Sequence, residues 1–396
     1  MCWAFFGCCD KLFTIKSFDS STLARNWGKL KSTPNTTPAD HAISLWNGDI
    51  LVYGSKNTAA LTNEGVLVTR DVSSGSPSVY STSTPLTAID PTGGVAEFSV
   101  DANASDGAWL LSADTAMYWD PAALDGPIAL GASVSVDVDS SSRQKLFYQT
   151  SSSVISGKNS TTIAKWDSGG SETASLATSA LSLTSGYSLS GSAFAIETRA
   201  SDPVLFYGRE TNGSQTLRRI WQVDTSLSEV AAVTGGTDND FTYSNTDSIY
   251  NKPWTPDGNY AFLKTSTGIQ RIDLATLAFG WHNTDNTIDH ILCADNSNVY
   301  VVYNFGISKR LRAISVSTGS TVWSQTSGTF GASARARVTT AGLALWNSNS
   351  VLQVRLYSTS TGSLIDSFDN DGATVGGLKK LMEHDGSIYV AGVQRS

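Results

Sequence analysis

Histidines are the first candidates for acid–base or metal chemistry in this chain of 396 residues, and there are only four. His282 and His290 lie close together, whereas His41 and His384 stand alone. No H-x-x-x-H, C-x-x-C, G-x-S-x-G or glycine-rich phosphate-binding motif occurs in the sequence. An isolated histidine is usually a surface or core side chain. The sequence therefore predicts no catalytic residues and no enzymatic activity.

Carboxylates cluster in two turns, residues 238–240 (DND) and 369–372 (DNDG), and such oxygen ligands suit calcium. Neither turn continues into a calcium loop with a distal glutamate, so hydrogen bonding within the turns is the favoured interpretation. A carboxylate pair for glycoside cleavage needs a separation of about 5–10 Å, which only the fold sets. A glycosidase-like enzyme therefore stays an alternative, and we predict no cofactor and no metal.

Three of the four cysteines, Cys2, Cys8 and Cys9, lie in the apolar opening segment MCWAFFGCC, and the fourth is Cys293. This spacing defines no disulfide framework. The opening lacks a basic n-region and a clear cleavage site, and it is far shorter than the ~20 residues of a membrane span. We expect no classical signal peptide and no transmembrane segment. Residues 1–11 form a predicted extension. It either packs against the sheet that contains the two chain ends, or its cysteines provide docking or acylation sites.

The composition favours an all-β chain that binds no nucleic acid. Charged residues make up only 16%, the net charge is −8 and the pI is about 5.0. A phosphate backbone requires a basic footprint, which this sequence lacks. No stretch keeps an apolar 3.6-residue period over three turns, so long amphipathic helices are not expected.

One element returns along the chain: a strand, an Asp or Ser, a few small turn residues and a second strand. The intervals between the anchor residues are 52, 49, 47, 57, 49, 42 and 43 residues, which is the range of four-stranded propeller blades. A short Asp or Ser side chain accepts hydrogen bonds from backbone N–H groups of its own turn. The eight anchors are Asp19, Asp71, Asp120, Asp167, Asp224, Asp273, Ser315 and Ser358.

Tryptophan and glycine repeat in register with these anchors. Trp27, Trp281 and Trp323 each follow their anchor by eight residues, which indicates descent from one repeating unit. Gly319 and Gly362 are expected to supply the positive φ of a tight turn. The longest interval contains a segment of small polar residues, 168–192, which we predict to be a mobile connection or a contact loop.

The two ends of the chain predict a shared blade. Only one strand, 12–18, fits before Asp19, and the segment 378–393 adds two more strands after the last copy. Together these halves complete a blade and leave no long exposed sheet edge. We therefore predict a single domain, residues 1–396, folded as an eight-bladed β-propeller of four-stranded blades. N-terminal outer strands pair with C-terminal inner strands, and seven blades is the alternative count.

The repeats also resemble known families. ISVSTGSTVW around Ser315 resembles the tryptophan-docking repeats of quinoprotein-like propellers, while YWD at Asp120 and KWD at Asp167 resemble WD repeats. Quinoprotein dehydrogenases carry a vicinal cysteine pair beside their cofactor. Here Cys8 and Cys9 precede the first strand, so the resemblance implies no quinone cofactor. In size and predicted blade number the chain is similar to non-catalytic eight-bladed propeller scaffold proteins, although it lacks the lipobox of the lipoproteins among them.

These observations favour a non-catalytic structural or protein-interaction propeller, with a bacteriophage virion or a similar large particle as its setting. The expected partners are other proteins of that assembly, and the expected location is the virion or another extracellular particle. A receptor- or glycan-binding propeller module is the alternative, and a propeller-fold enzyme is the second alternative.

Overall fold

The computed structural model describes most of the chain from Lys11 to Arg395. The described residues are 11–23, 25–32, 42–46, 49–57, 63–70, 77–80, 97–98, 101–102, 108–112, 115–119, 130–135, 147–149, 153–159, 162–167, 169–196, 204–237, 254–265, 267–325, 334–347, 353–369, 375–384 and 386–395. Within these ranges the regular structure is almost entirely β-strand, with one 3-10 turn at Thr178–Ala180. No helix of the described residues is long and apolar enough to cross a membrane.

The strands of the N-terminal half are short and closely spaced. They are β1 (Lys11–Asp19), β2 (Arg25–Ser32), β3 (Ala42–Trp46), β4 (Asp49–Asn57), β5 (Asn63–Arg70), β6 (Pro77–Tyr80), β7 (Glu97–Phe98), β8 (Asp101–Ala102), β9 (Ala108–Ser112), β10 (Thr115–Trp119), β11 (Leu130–Ser135), β12 (Phe147–Gln149), β13 (Ser153–Asn159), β14 (Thr162–Asp167), β15 (Glu172–Ala177) and β16 (Ser188–Ile196).

The C-terminal half continues the same pattern. Its strands are β17 (Val204–Thr211), β18 (Thr216–Val223), β19 (Glu229–Thr237), β20 (Tyr260–Thr265), β21 (Gly268–Asp273), β22 (Phe279–Asn283), β23 (Ile288–Ala294), β24 (Asn298–Phe305), β25 (Ser308–Ser315), β26 (Thr321–Ser324), β27 (Ala334–Thr339), β28 (Gly342–Asn347), β29 (Gln353–Tyr357), β30 (Leu364–Asp369), β31 (Val375–His384) and β32 (Ser387–Arg395).

The described strands form eight sheets. We call the sheet with the order β2-β1-β32-β31 the closing sheet, and we number the others along the chain. Sheet II is β6-β5-β4-β3-β8, sheet III β11-β10-β9-β7, sheet IV β12 to β15, sheet V β16 to β19, sheet VI β20 to β22, sheet VII β23 to β26 and sheet VIII β27 to β30. Neighbouring strands are antiparallel except β3 and β8. The blade count stays a prediction, because much of the chain between sheets II and IV lies outside the described residues.

The closing sheet joins the two ends of the chain as predicted. Strands β1 and β32 are antiparallel over nine residue pairs, from Lys11 opposite Arg395 to Asp19 opposite Ser387. The turn after β1 is tied to the β31–β32 hairpin, because the backbone N–H of Ser20 donates to the carbonyl of Gly386 at 2.9 Å. The prediction that N-terminal outer strands complete a sheet begun by C-terminal inner strands is therefore confirmed.

The first strands of successive sheets face one another. Strand β23 contacts β20 and β27, β31 contacts β27 and β3, and β3 contacts β7. Sheets VI, VII, VIII, the closing sheet, II and III thus follow one another through their innermost strands. This sequence of contacts is what a ring of sheets around an axis requires.

Sheet VII is covered on both faces by its neighbours, which explains its long apolar runs. All six residues from Asn298 to Tyr303 in β24 are buried. Because alternate strand residues point to opposite faces, Tyr300 and Val302 pack toward sheet VIII, whereas Val299 and Val301 pack toward sheet VI. Strand β24 therefore contributes side chains to two hydrophobic cores, one on each face of sheet VII.

Among the described residues, sheet VI has three strands and a single bridge between Trp254 and Ala261 on its inner side. Residues 238–253, directly before that bridge, lie outside the described residues. The predicted fourth strand of this sheet therefore stays a prediction.

The segment 169–192 leads from sheet IV to sheet V. It contains β15, the 3-10 turn and the start of β16, and the connection after the turn is fastened to sheet V. The Trp221 indole donates to the Ser182 carbonyl at 2.7 Å, and the carboxylates of Glu210 and Glu229 accept from the backbone N–H groups of Thr184 and Ser182. Residues 169–192 thus form strands, a turn and hydrogen bonds to sheet V, and the predictions of a mobile connection or a contact loop stay predictions.

Candidate functional site

The Asp anchors that the structure describes lie at the turns between the outermost two strands of their sheets. Asp19 Oδ1 accepts from the backbone N–H groups of Ser21 and Thr22 at 3.0 and 2.9 Å and from both hydroxyls. The Ser21 hydroxyl contributes most to lowering the pKa of Asp19, which falls to about 2. Asp167, Asp224 and Asp273 also accept backbone N–H groups of their own turns. Asp71 and Asp120 lie outside the described residues.

The two Ser anchors make the same turn with a weaker acceptor. The Ser315 hydroxyl accepts from the Thr318 backbone N–H, and the Ser358 hydroxyl from that of Thr361, both at 3.3 Å. The anchor carbonyls accept from the N–H groups of Gly319 and Gly362 at 2.9 Å. Backbone hydrogen bonds therefore hold these two turns more than the side chains do.

Late in each of these turns, one residue adopts a positive φ. It is Gly319 (φ 73) and Gly362 (φ 71) in the Ser turns and Gly170 (φ 79) in the Asp167 turn, but a leucine in the other three described Asp turns: Leu23 (φ 49), Leu227 (φ 64) and Leu277 (φ 55). A left-handed leucine is strained, and all three leucines are buried in cores between sheets, which offsets the strain.

Tryptophan explains why the Ser turns carry glycine. A Cβ on Gly319 would lie 2.6 Å from the Trp281 ring, and one on Gly362 would lie 2.4 Å from the Trp323 ring. Each indole N–H also reaches the next sheet, donating from Trp281 to the Val316 carbonyl at 2.8 Å and from Trp323 to that of Thr359 at 2.9 Å. The tryptophan of one sheet thus packs against the turn of the next sheet at the position that a leucine takes in the Asp19, Asp224 and Asp273 turns.

The residues two positions after these tryptophans repeat the same bridge. Asn283 donates to the Gly319 carbonyl, and Gln325 to the Gly362 carbonyl, both at 2.8 Å. Sequence reasoning found the tryptophans and glycines but not their pairing. The sequence did contain a signal for this pairing. After Trp27, the next anchor is Asp71, and Gly75 follows that anchor by four residues, as Gly319 and Gly362 follow theirs. The side chain of Trp27 lies outside the described ones.

The feature with the clearest capacity to bind a ligand is the hairpin between β24 and β25. Phe305 faces Ser308 across a turn of two residues, Gly306 and Ile307. Gly306 has a φ of 62°, and a Cβ added to it would meet nothing within 4 Å, so the turn stands clear of the sheet. Phe305 is 51% exposed and Ile307 is fully exposed. Two adjacent apolar side chains therefore point into solvent at one hairpin tip.

Guanidinium and aromatic groups alternate behind this tip. The Arg310 guanidinium carbon lies 4.0 Å from the centre of the Phe305 ring, and that of Arg312 lies 3.9 Å from the Tyr303 ring. The two rings meet edge to face with centres 6.4 Å apart. The Tyr303 hydroxyl donates to the Gln325 carbonyl at 2.7 Å and so fixes its ring. Cation–π contacts therefore link the rings and guanidinium groups of this ladder.

The two arginines differ in charge compensation. Arg312 forms an ion pair with Asp285 and donates to the Ser324 hydroxyl at 2.9 Å. Burial alone would raise the pKa of Asp285, but hydrogen bonds from Thr287 and the Arg312 ion pair outweigh it and lower that pKa. Arg310 has no ion pair among the described residues, and its buried Nε has no hydrogen-bond partner there.

A second charged group lies on the first strand of the same sheet. Asp289 Oδ2 accepts from His290 Nδ1 at 2.9 Å and pairs with Lys309 Nζ at 2.6 Å. The His290 hydrogen bond contributes most to lowering the pKa of Asp289 well below its usual range, with Lys309 adding to it. Burial lowers the pKa of Lys264, which the Asp289 charge partly opposes.

These contacts predict how Asp289 affects stability as pH changes. Because its folded pKa lies below the usual value, its ion pairs stabilise the fold fully above about pH 4 and are lost as pH falls below that value. Between pH 6 and pH 3, we expect the natural chain to lose about 1 kcal/mol more unfolding free energy than Asp289→Asn. Urea unfolding followed by circular dichroism measures this difference, and parallel losses in both proteins would contradict it.

The other residues that the sequence singled out form no metal site where the structure describes them. Within the described part of the chain, no three His, Cys, Asp or Glu residues come together to hold a metal ion. His282 Nε2 lies 3.0 Å from the Thr265 hydroxyl. Cys293 is a buried free thiol whose pKa burial raises. Cys2, Cys8 and Cys9, His41 and residues 238–240 lie outside the described residues.

Comparison with known proteins identifies the fold. No family model and no curated protein matches the sequence. Among solved structures, BamB from Moraxella catarrhalis has a TM-score of 0.54 at 14% identity, over 90% of this chain and 99% of that chain. The computationally designed Ika8 protein has a TM-score of 0.55 at 12% identity, over 91% of this chain and 96% of that chain. The chain is a β-propeller.

These similarities confirm the predicted all-β class and propeller fold. At such identities the similarity establishes the architecture and leaves the function to the surface of this propeller.

Proposed function

We propose that this propeller is a non-catalytic structural and protein-interaction protein that works inside a larger assembly, namely a bacteriophage virion or a similar large particle. The observation that carries the proposal is the β24–β25 hairpin. Sheet VII buries almost all its other apolar residues, yet its tip exposes Phe305 and Ile307 beside an arginine with no ion pair among the described residues. An exposed apolar group beside polar residues is typical of a protein contact.

The composition supports the particle setting. Only 16% of the residues are charged, and small polar residues replace the missing charges. The N-terminal cysteines fit this proposal in either of two ways, by docking into a neighbouring subunit or by acylation at Cys2, Cys8 or Cys9. The intact mass of the native chain distinguishes the two, because each acyl group adds a defined mass.

A receptor- or glycan-binding module is the second candidate, and one observation bears on it. Sugar recognition by stacking uses an open aromatic face, and Phe305 is the only aromatic among the exposed large apolar side chains that the structure describes. The Arg310 guanidinium covers one face of that ring. We therefore favour a protein partner over a glycan.

A propeller-fold glycosidase is the third candidate. Such an enzyme needs one carboxyl group that holds its proton near neutral pH beside one that is ionised. In the described part of the propeller, Asp285 and Asp289 are the carboxylates near the hairpin, and both have lowered pKa values. Neither suits the role of proton donor, which supports the non-catalytic proposal.

Chemical cross-linking of intact particles, followed by mass spectrometry, tests the proposed function. We expect the chain to co-purify with particles through a density gradient and to form cross-links to other particle proteins. Lys309 beside the hairpin and Lys158 in sheet IV provide reactive amines on two different sheets. Recovery of the chain only as a free, soluble monomer would overturn the proposal.

A further inference from the structure

The hairpin tip has a chemistry that its turn does not require. A two-residue turn with glycine at its first position accepts polar residues at its second position. Here that position holds the fully exposed Ile307, next to the half-exposed Phe305. The pair forms a small apolar contact surface that stands out from the sheet.

Arg310 gives this surface a charge preference. Its guanidinium is held over Phe305 by a cation–π contact of 4.0 Å. Arg312 lies two residues further along β25 on the same face, and it forms an ion pair with the Asp285 carboxylate. Arg310 has no carboxylate partner among the described residues. A guanidinium held in a fixed orientation with free donors matches a carboxylate.

The surroundings strengthen this preference. Although the chain carries a net charge of −8, four cations face only two carboxylates among the described residues around the hairpin. The cations are Lys264, Lys309, Arg310 and Arg312, and the carboxylates are Asp285 and Asp289. The local excess of positive charge attracts an acidic partner.

We propose that the β24–β25 hairpin is a docking site for an acidic segment of a partner protein, in which a carboxylate pairs with Arg310 and a neighbouring apolar side chain packs on Phe305 and Ile307. This inference deepens the proposed function and rests on it, because it names the surface and the chemistry of the partner. A protein segment is favoured over an anionic glycan, since an exposed isoleucine makes contacts with apolar groups and not with sugar hydroxyls.

Nuclear magnetic resonance with isotope-labelled isoleucine methyl groups tests the inference directly. The probe is the capped peptide Ac-Asp-Phe-Glu-Leu-Asp-NH2, and the matched control peptide has Asn and Gln in place of Asp and Glu. We expect the acidic peptide to shift the Ile307 methyl signal in a saturable way, more weakly at 300 mM than at 50 mM NaCl. The neutral peptide should bind about tenfold more weakly.

Variants separate this site from general charge attraction. Arg310→Gln should weaken the acidic peptide about tenfold. Ile307→Ser, read out by anisotropy of a fluorescein-labelled peptide, should weaken it severalfold, and its full exposure makes it harmless to folding. Lys158→Gln is the matched control, because it removes an exposed, ion-paired cation from sheet IV and should leave the affinity unchanged.

Three results would overturn the inference. They are equal binding of the neutral peptide, unchanged affinity of a folded Arg310→Gln protein, and a shift of Ile307 by 3′-sialyllactose without one by the acidic peptide. The wider proposal fails separately. If the chain forms cross-links within particles but none of them involve sheet VII, the assembly role stands and this docking site is rejected. If the chain binds the peptide but is absent from particles, the docking site stands and the assembly role is rejected.

Discussion

Gly362→Ala should destabilise the propeller by about 2–5 kcal/mol, far more than the same change at an open turn. The new Cβ would lie 2.4 Å from the Trp323 ring, and the residue would keep a φ of 71°. Left-handed strain contributes about 1–2 kcal/mol, and overpacking against a fixed ring contributes about 1–3 kcal/mol. Denaturant unfolding followed by far-ultraviolet circular dichroism gives the change in free energy.

Gly258 provides the control for backbone strain alone. It has a φ of 75° and nothing within 4 Å of an added Cβ, so Gly258→Ala should cost only about 1 kcal/mol. Trp323→Ala should itself cost about 3 kcal/mol, because it removes a packed ring and its hydrogen bond to Thr359. In a protein that already carries Trp323→Ala, the loss of unfolding free energy caused by Gly362→Ala should be only as large as that caused by Gly258→Ala. Equal costs with and without Trp323 would show that the ring and the glycine do not interact.

Removal of residues 387–396, which include β32, should abolish the cooperative folding of the propeller. The strand contributes three buried side chains to the closing sheet, Ile388, Tyr389 and Val390, and is the inner neighbour of β1 over nine pairs. Burying those side chains contributes about 5 kcal/mol or more, which is comparable with the whole stability of many domains. We expect the sharp thermal transition to be lost and the exposed core to bind hydrophobic dyes.

A circular permutant controls for the truncation. Since Arg395 lies opposite Lys11, a short Gly-Ser linker from the C-terminus to residue 11 would turn β32 and β1 into a hairpin. New ends placed between Asp369 and Val375 would keep all four strands of the closing sheet. This permutant should unfold cooperatively, as the natural chain does. A truncated chain that still melted sharply near the natural temperature would show that the closing sheet contributes little.

The sequence was sufficient for features that each repeat carries within itself. The anchor residues, the strand pairs around them and the division of one sheet between the chain ends all follow from local patterns and from lengths. It was insufficient where two repeats meet. Trp281 and Gly319 each have a recognisable local role, but only packing shows that the glycine is required by a ring from the preceding sheet.

The hairpin site was missed for a related reason. Phe305 and Ile307 are ordinary as single residues, and Arg310 belongs to a strand with several basic side chains. The register that sets Tyr303 opposite Arg310 places aromatic rings and guanidinium groups on one face. The order of segment 168–192 likewise depends on distant partners, because Glu229 and Trp221 fasten it from a later hairpin. Composition carries no information about such partners.

The antiparallel match of Lys11 with Arg395 has a practical consequence. Tags or fluorescent reporters fused at position 11 and position 395 would be attached at neighbouring points of the closing sheet, about 5 Å apart. Energy transfer between a donor and an acceptor fused there should be efficient while the molecule is intact. The loss of energy transfer on unfolding would report, in one optical signal, that strands β1 and β32 of the closing sheet have separated.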